Sequence, residues 1–181
     1  MGDDKKARLK EKLFERAIKF GEFTLASGQK SNYYINGKMA TLDSEGLNLV
    51  AGLILDMLAD SVCDAVGGPT LGADPMVGAI IALAHERNRK LTGFIVRKES
   101  KDHGTKSLIE GPLDKGMKTV IIEDVATTGG SAIKAVNAVR DFGCEVMKVI
   151  VIVDRGQGAR ENLAKLDIPF ESIFKKDELG L

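Results

Sequence analysis

Around residue 130 the chain changes from one period of apolar positions to another. Val120, Ile121 and Ile122 form a short β-branched run after the turn signal Lys115-Gly116, which predicts a buried strand. Ile133, Val136, Val139 and Arg140 then recur at helical spacing. The same alternation extends to both sides. Helices are predicted over residues 44–59 (Leu47, Val50, Leu53, Ile54, Met57), from a loop at 68–74 to about 86, and over 159–166. Strands are predicted over 91–96 and 146–153, with a weak one at 64–67 and a last one at 169–173. Helices and strands thus alternate from residue 44 onward, which predicts an α/β fold with a parallel sheet covered on both faces.

The first 40 residues follow another pattern. Leu9, Leu13, Phe14, Ala17 and Phe20 lie near helical spacing over 3–20, with Asp3 and Asp4 available as caps and Gly21 as the stop. Phe23-Thr24-Leu25 and Tyr33-Tyr34-Ile35 read as short strands around a polar turn, Ser27-Gly28-Gln29-Lys30. There is no repeat and no low-complexity linker. The 181 residues therefore read as a single domain, 1–181, large enough for a substantial core. A small hood is expected mainly over 1–40, with a C-terminal contribution to it, and the core over about 44–170.

Composition narrows the function. Twenty-six basic and twenty-six acidic residues cancel, so nothing favours nonspecific nucleic-acid binding. The two cysteines, Cys63 and Cys144, both stand in apolar company and read as reduced buried thiols rather than a disulfide or metal site. No apolar run approaches a membrane span and the N-terminal stretch is charged, so a cytoplasmic protein is expected. Lys176-Asp177-Glu178-Leu179 spells a retention signal, but Gly180 and Leu181 follow it, so it is dismissed.

Chemistry concentrates after the central strand, in Glu123-Asp124-Val125-Ala126-Thr127-Thr128-Gly129-Gly130-Ser131. The first N–H groups of a helix lack intrahelical partners, and the macrodipole puts partial positive charge there. Glycines at 129 and 130 let an anion approach the backbone, while Thr127, Thr128 and Ser131 add hydroxyl donors. That is a phosphate cradle. Two carboxylates beside it would repel phosphate alone. They make sense if the ligand also presents hydroxyls close to its phosphate, as a ribose 5-phosphate does. A dinucleotide site would put its ribose carboxylate about 20 residues beyond the glycines, whereas here the acids come first. Gly104-Thr105-Lys106-Ser107 lacks the Gly-Lys pair of a P-loop.

Residues 97–107 contain no apolar side chain but do contain Arg97, Lys98, Lys101, His103 and Lys106. A solvated charge run is the ordinary reading. Leaving the C-terminal end of a strand, such a loop could also close over a diphosphate and neutralise it as it departs. His103, in that polar setting, suits a catalytic or phosphate-contacting role. His85 sits in His85-Glu86-Arg87-Asn88-Arg89, where a zinc-protease pattern needs a second histidine at 89, so it reads as structural.

The run from Val120 to Ser131 resembles the ribose-phosphate signature of type I phosphoribosyltransferases, which use phosphoribosyl pyrophosphate (PRPP). Residues 23–36 look like the hood of the orotate phosphoribosyltransferases. Arg97-Lys98-Glu99, with Lys101-Asp102-His103-Gly104, is similar to that family's catalytic loop. With Asp154-Arg155 the likeness covers nearly the whole chain.

The resemblance implies the type I fold and transfer of phosphoribosyl from PRPP to orotate, giving orotidine 5′-monophosphate and pyrophosphate in pyrimidine synthesis. It implies PRPP contacts from Arg97, Lys98, Lys101, His103 and the whole run Glu123 to Ser131, with Glu123 and Asp124 on the ribose hydroxyls. Lys101, His103 and Asp124 would be catalytic. Tyr34, Ile35, Thr127 and Arg155 would shape the orotate pocket, Arg155 pairing with the carboxylate. From its own position, after a strand end, Arg155 reads equally well as a surface arginine. Mg²⁺ would travel on PRPP rather than in a protein site, and a homodimer would share the basic loop between subunits. No nucleic-acid or membrane partner is implied. Ala26 and Gly72 stand where some members have lysine. Two alternatives remain: a purine phosphoribosyltransferase, or a PRPP-binding transcriptional regulator on the same fold.

Overall fold

The computed structural model describes residues 2–24, 30–99 and 108–181. Ser27, Gly28 and Gln29 of the expected turn, Leu25, and the loop residues Lys101 and His103 lie outside these. The helix expected over 3–20 is shorter. α1 (Gly2–Lys12) passes into one π-helical turn, Leu13–Ala17, and β1 (Ile18–Thr24) follows. Leu9, Leu13 and Ala17 are buried as the helical stripe requires, but Phe20 is 66 % exposed. Pairing decides the change. Ile18, Lys19 and Phe20 sit opposite Ile35, Tyr34 and Tyr33 of β2 (Lys30–Ile35), and that antiparallel ladder satisfies backbone groups that a continued helix would leave alone at its end. Lys6 links this segment to the C-terminus through Glu178 at 2.8 Å and lies over the Phe174 ring.

After a short α2 (Lys38–Thr41), the remaining elements are α3 (Ser44–Met57), β3 (Ala65–Pro69), α4 (Asp74–Glu86), β4 (Thr92–Val96), β5 (Ile109–Glu110), β6 (Lys118–Ala126), α5 (Gly130–Phe142), β7 (Glu145–Asp154), α6 (Ala159–Ala164) and β8 (Phe170–Lys175). The main sheet runs β5-β4-β3-β6-β7-β8. Five strands are parallel, and β5, unforeseen from the sequence, pairs antiparallel with β4 at the edge.

Strand alternation sorts the core into two layers. Val66, Val120, Ile122, Ile150 and Ile152 pack under Leu9, Val50, Ile54, Met76 and Ile80 of α1, α3 and α4. Ile121, Val149 and Val151 face the other way, under Ala132, Val136 and Val139 of α5 and Leu163 of α6. The weak strand of the sequence is β3, an interior strand. Its glycines are there for room: a Cβ on Gly67 would overlap Phe94, and one on Gly68 the Ile122 carbonyl oxygen. Cys63 and Cys144 are free and buried. No helix among the described residues is long and apolar enough to cross a membrane.

Candidate active site

The order of the strands locates the crevice. From β3 the chain crosses through α4 to β4 on one side, while β6, on the other side of β3, leads through α5 to β7. Connections part at β3 and β6, so their C-terminal ends leave an open cleft between diverging loops. Two loops meet there: Thr70 to Ala73 after β3, and Thr127 to Gly129 after β6.

β6 is longer than its apolar run suggested and carries both carboxylates within the strand. Consecutive strand residues point to opposite faces, so the pair divides. Glu123 follows Ile121 under α5 and is 8 % exposed. Burial, then the Asp124 charge, push its pKa up to about 7, although the Ser131 hydroxyl and the Ala132 N–H pull it back. Asp124 faces the opposite way. Its Oδ1 accepts from the Val125 N–H at 2.9 Å, and its Oδ2 lies 3.6 Å from the Lys38 ammonium. Gly37 and Gly72 press on it from two sides: an added Cβ would stand 2.7 Å from Asp124 Cβ or 2.8 Å from Oδ1, respectively.

The Glu123 shift has a measurable sign. Between pH 4.5 and about 7 the folded chain holds a proton that the unfolded chain releases, so stability falls as pH rises through that window. Glu123→Gln is expected to remove this pH-dependent loss, which amounts to roughly 3 kcal/mol across the whole window. Thermal melting from pH 5 to 8 reads it; parallel curves for both proteins would remove Glu123 as the source.

Beside Glu123 a cleft of about 180 Å³ is lined by Val125, Ala126, Thr127, Thr128, Gly129, Gly130 and Ser131. Gly129 caps α5 at φ 77, a left-handed conformation that favours glycine. The Thr128 carbonyl accepts from Asn162 of α6 at 3.0 Å, which ties the loop down. The start of α5 faces this cleft; the Ala132 N–H is taken by Glu123, which leaves the Gly130 and Ser131 end of the turn for an anion.

Arg155 is no surface arginine. Its backbone N–H donates to the Ala126 carbonyl at 3.0 Å, setting it beside the cradle, and its side chain is 4 % exposed. The guanidinium lies 4.7 Å above the Tyr33 ring and donates to Ser31 Oγ at 3.2 Å, while Nε has no partner. Among the described residues no carboxylate forms an ion pair with it. A buried cation in that state can take up an anion. On β2 the alternation that buries Tyr33 and Ile35 exposes Tyr34, which packs on Phe23 with ring centroids 5.6 Å apart.

The chain matches the phosphoribosyl transferase domain over residues 45–177. It is 44% identical to an orotate phosphoribosyltransferase of Streptomyces avermitilis over 99% of each chain. With one from Rhodopseudomonas palustris identity is 47% over 96% of this chain and 95% of the other. The chain belongs to the orotate phosphoribosyltransferase family. Among solved structures it superposes on the Mycobacterium tuberculosis orotate phosphoribosyltransferase in complex with Fe(III) dicitrate, with a TM-score of 0.87, 38% identity, and 98% and 99% of the two chains covered. It also superposes on that enzyme in complex with PRPP, with a TM-score of 0.82, 36% identity and the same coverage.

The glycine- and hydroxyl-lined loop after β6 and the buried Arg155 lie side by side at this end of the sheet. Arg97 and Lys98 line a second cleft of about 560 Å³ with Thr70, Glu99 and Glu110, and Arg97 pairs with Glu110 at 3.1 Å. His85 is exposed on the last turn of α4, away from these loops. Sequence reasoning missed Ser31, Tyr33, Lys38 and Gly37. Period-two alternation through Ile35 was the available signal for Tyr33, since a buried Ile35 puts Tyr33 on the same face. Lys38 had none, because only the fold brings α2 to β6.

Proposed function

We propose that this chain transfers the phosphoribosyl group of PRPP to orotate, yielding orotidine 5′-monophosphate and pyrophosphate. The observation that carries the choice of base is the guanidinium of Arg155, laid on Tyr33 beside the cradle, with Nε partnerless and no carboxylate pairing it among the described residues. A planar base bearing a carboxylate suits it: the fork pairs with the carboxylate, and the aromatic ring keeps the guanidinium plane fixed. In this reading Ile35, Thr127 and Tyr34 complete the base pocket around Arg155.

In this reading the 5-phosphate sits on the N–H groups of Thr127 to Ser131, and Asp124 accepts from the ribose hydroxyls. Glu123, beneath α5, holds the first turn of that helix in place and reaches the ribose from the other face of β6. The bond from ribose C1′ to the diphosphate oxygen breaks as a ring nitrogen of orotate bonds to C1′, its proton passing to the departing diphosphate. Positive charge builds on the ribose ring in between, and the Asp124 carboxylate stabilises it. Arg97, Lys98, Lys101 and His103 neutralise the departing diphosphate.

Mg²⁺ would be held mainly by the oxygens of the substrate, with Asp124, whose side chain is 13% exposed, as the carboxylate nearest to it. Bound there, the ion would offset diphosphate charge. A homodimer sharing the basic loop, in the cytoplasm, belongs to the same proposal. Exposed Phe20, Leu42 and Leu71 support it as apolar surface for a second copy, and a sedimentation mass of one chain would end it.

The deciding assay follows the ultraviolet absorbance of orotate with PRPP and Mg²⁺, beside adenine, hypoxanthine and uracil. Orotate is expected to be consumed and the others not. Consumption of adenine with orotate untouched would replace this function by the purine reaction.

A further inference from the structure

A diphosphate needs cations, and the loop after β3 supplies none: Thr70, Leu71, Gly72 and Ala73 are neutral, and Asp74 is acidic. Nor does Gly72 leave space for one. Its Cβ position is 2.8 Å from Asp124 Oδ1, so a lysine stem there would displace the carboxylate. The ammonium that reaches this space comes from a different element. Lys38, the first residue of α2, holds Nζ 3.6 Å from Asp124 Oδ2. That separation exceeds a hydrogen bond, so charge holds the pair without a directed contact. The Lys38 side chain is 44% exposed and that of Asp124 13%, which sets the cation at the mouth and the carboxylate below it. A flexible four-carbon stem with three donors can turn a few ångströms without moving α2.

We propose that Lys38 is a diphosphate-binding residue which, before substrate arrives, serves as the counter-ion of Asp124. The exchange follows from the chemistry of the ligand and rests on the assignment of Asp124 to the ribose. Ribose hydroxyls donate hydrogen bonds and so satisfy Asp124 in place of the ammonium. The diphosphate is an acceptor throughout and takes the ammonium that the carboxylate releases. One lysine thereby screens Asp124 from an incoming anion and then binds that anion.

Lys38→Met keeps the length of the side chain and removes its charge. Inhibition constants for inorganic diphosphate and for ribose 5-phosphate, together with the KM for PRPP, are measured with Mg²⁺ present. Diphosphate and PRPP are expected to weaken about tenfold, as on losing one charge-assisted contact, with ribose 5-phosphate within about twofold. Lys38→Arg should restore most of the loss. Unchanged diphosphate inhibition overturns the proposal. Equal weakening of both inhibitors also overturns it, because Lys38 would then merely hold Asp124 in place. Asp124→Asn, run alongside, separates the two assignments: unaltered ribose 5-phosphate inhibition in that variant removes Asp124 from the ribose, whatever Lys38→Met shows.

Discussion

Replacing Arg155 by alanine is expected to raise the KM for orotate about a hundredfold or more while the KM for PRPP stays within about threefold. The size follows from burial. Removing one partner of a buried, hydrogen-bonded charge pair costs about 2–5 kcal/mol, because the other charge stays desolvated and alone. Arg155 is 4 % exposed, so the fold already bears the desolvation of the cation, and orotate gains most of what its carboxylate recovers. Arg155→Lys makes the argument sharper. It keeps the charge but loses the planar fork that lies on Tyr33 and reaches Ser31, so it should recover only part of the affinity. Steady-state kinetics with each substrate varied in turn check both. If KM for orotate does not move, Arg155 is not in the base pocket; if both KM values rise together, the substitution has loosened the hood.

Arg155 also marks the limit of what the sequence disclosed. Its environment depends on Ser31, 124 residues away, and on Tyr33, and no local pattern carries such a pairing. The sequence left it open between pocket and surface for that reason. The sheet was legible where apolar runs repeat: β4, β7 and α3 lie within two residues of their expected bounds. The loop and helix start at 127–131 were legible because their hydroxyl residues and glycines are contiguous. Legibility failed where polar residues continue an element. Glu123 and Asp124 were placed after the strand, yet β6 pairs with β7 through Ala126, so alternation separates the two carboxylates. β3 was legible, but only as a weak strand, because Gly67 and Gly68 dilute its apolar signal while fitting the space left by Phe94 and the Ile122 carbonyl. At Ile18 to Phe20 a helical stripe lost to a partner strand.

Gly72→Ala is expected to lower kcat/KM for PRPP about a hundredfold while changing the melting temperature by less than about 3 °C. Gly72 has no left-handed backbone, so alanine is conformationally acceptable there, and the adjacent Leu71 is 67% exposed, outside the packed core. Stability therefore changes little. The added methyl, however, would meet Asp124 Oδ1 at 2.8 Å and Cγ at 3.1 Å, so the carboxylate or the loop must shift. Gly37 closes the opposite side, where its own Cβ position is 2.9 Å from Oδ2, and the Val125 N–H holds Oδ1 from below. Either the loop lifts away from the ribose site or Asp124 turns, and both spoil a geometry that must be met within about half an ångström. Asp124→Asn keeps the shape and removes the charge, and should cost at least as much. The double variant tests whether the two positions act as one: residues that work through a single contact do not add. If Gly72 acts by shaping Asp124, Gly72→Ala in the Asp124→Asn background loses little more than Asp124→Asn alone. Full multiplication of the two losses would instead give the loop after β3 a substrate contact of its own.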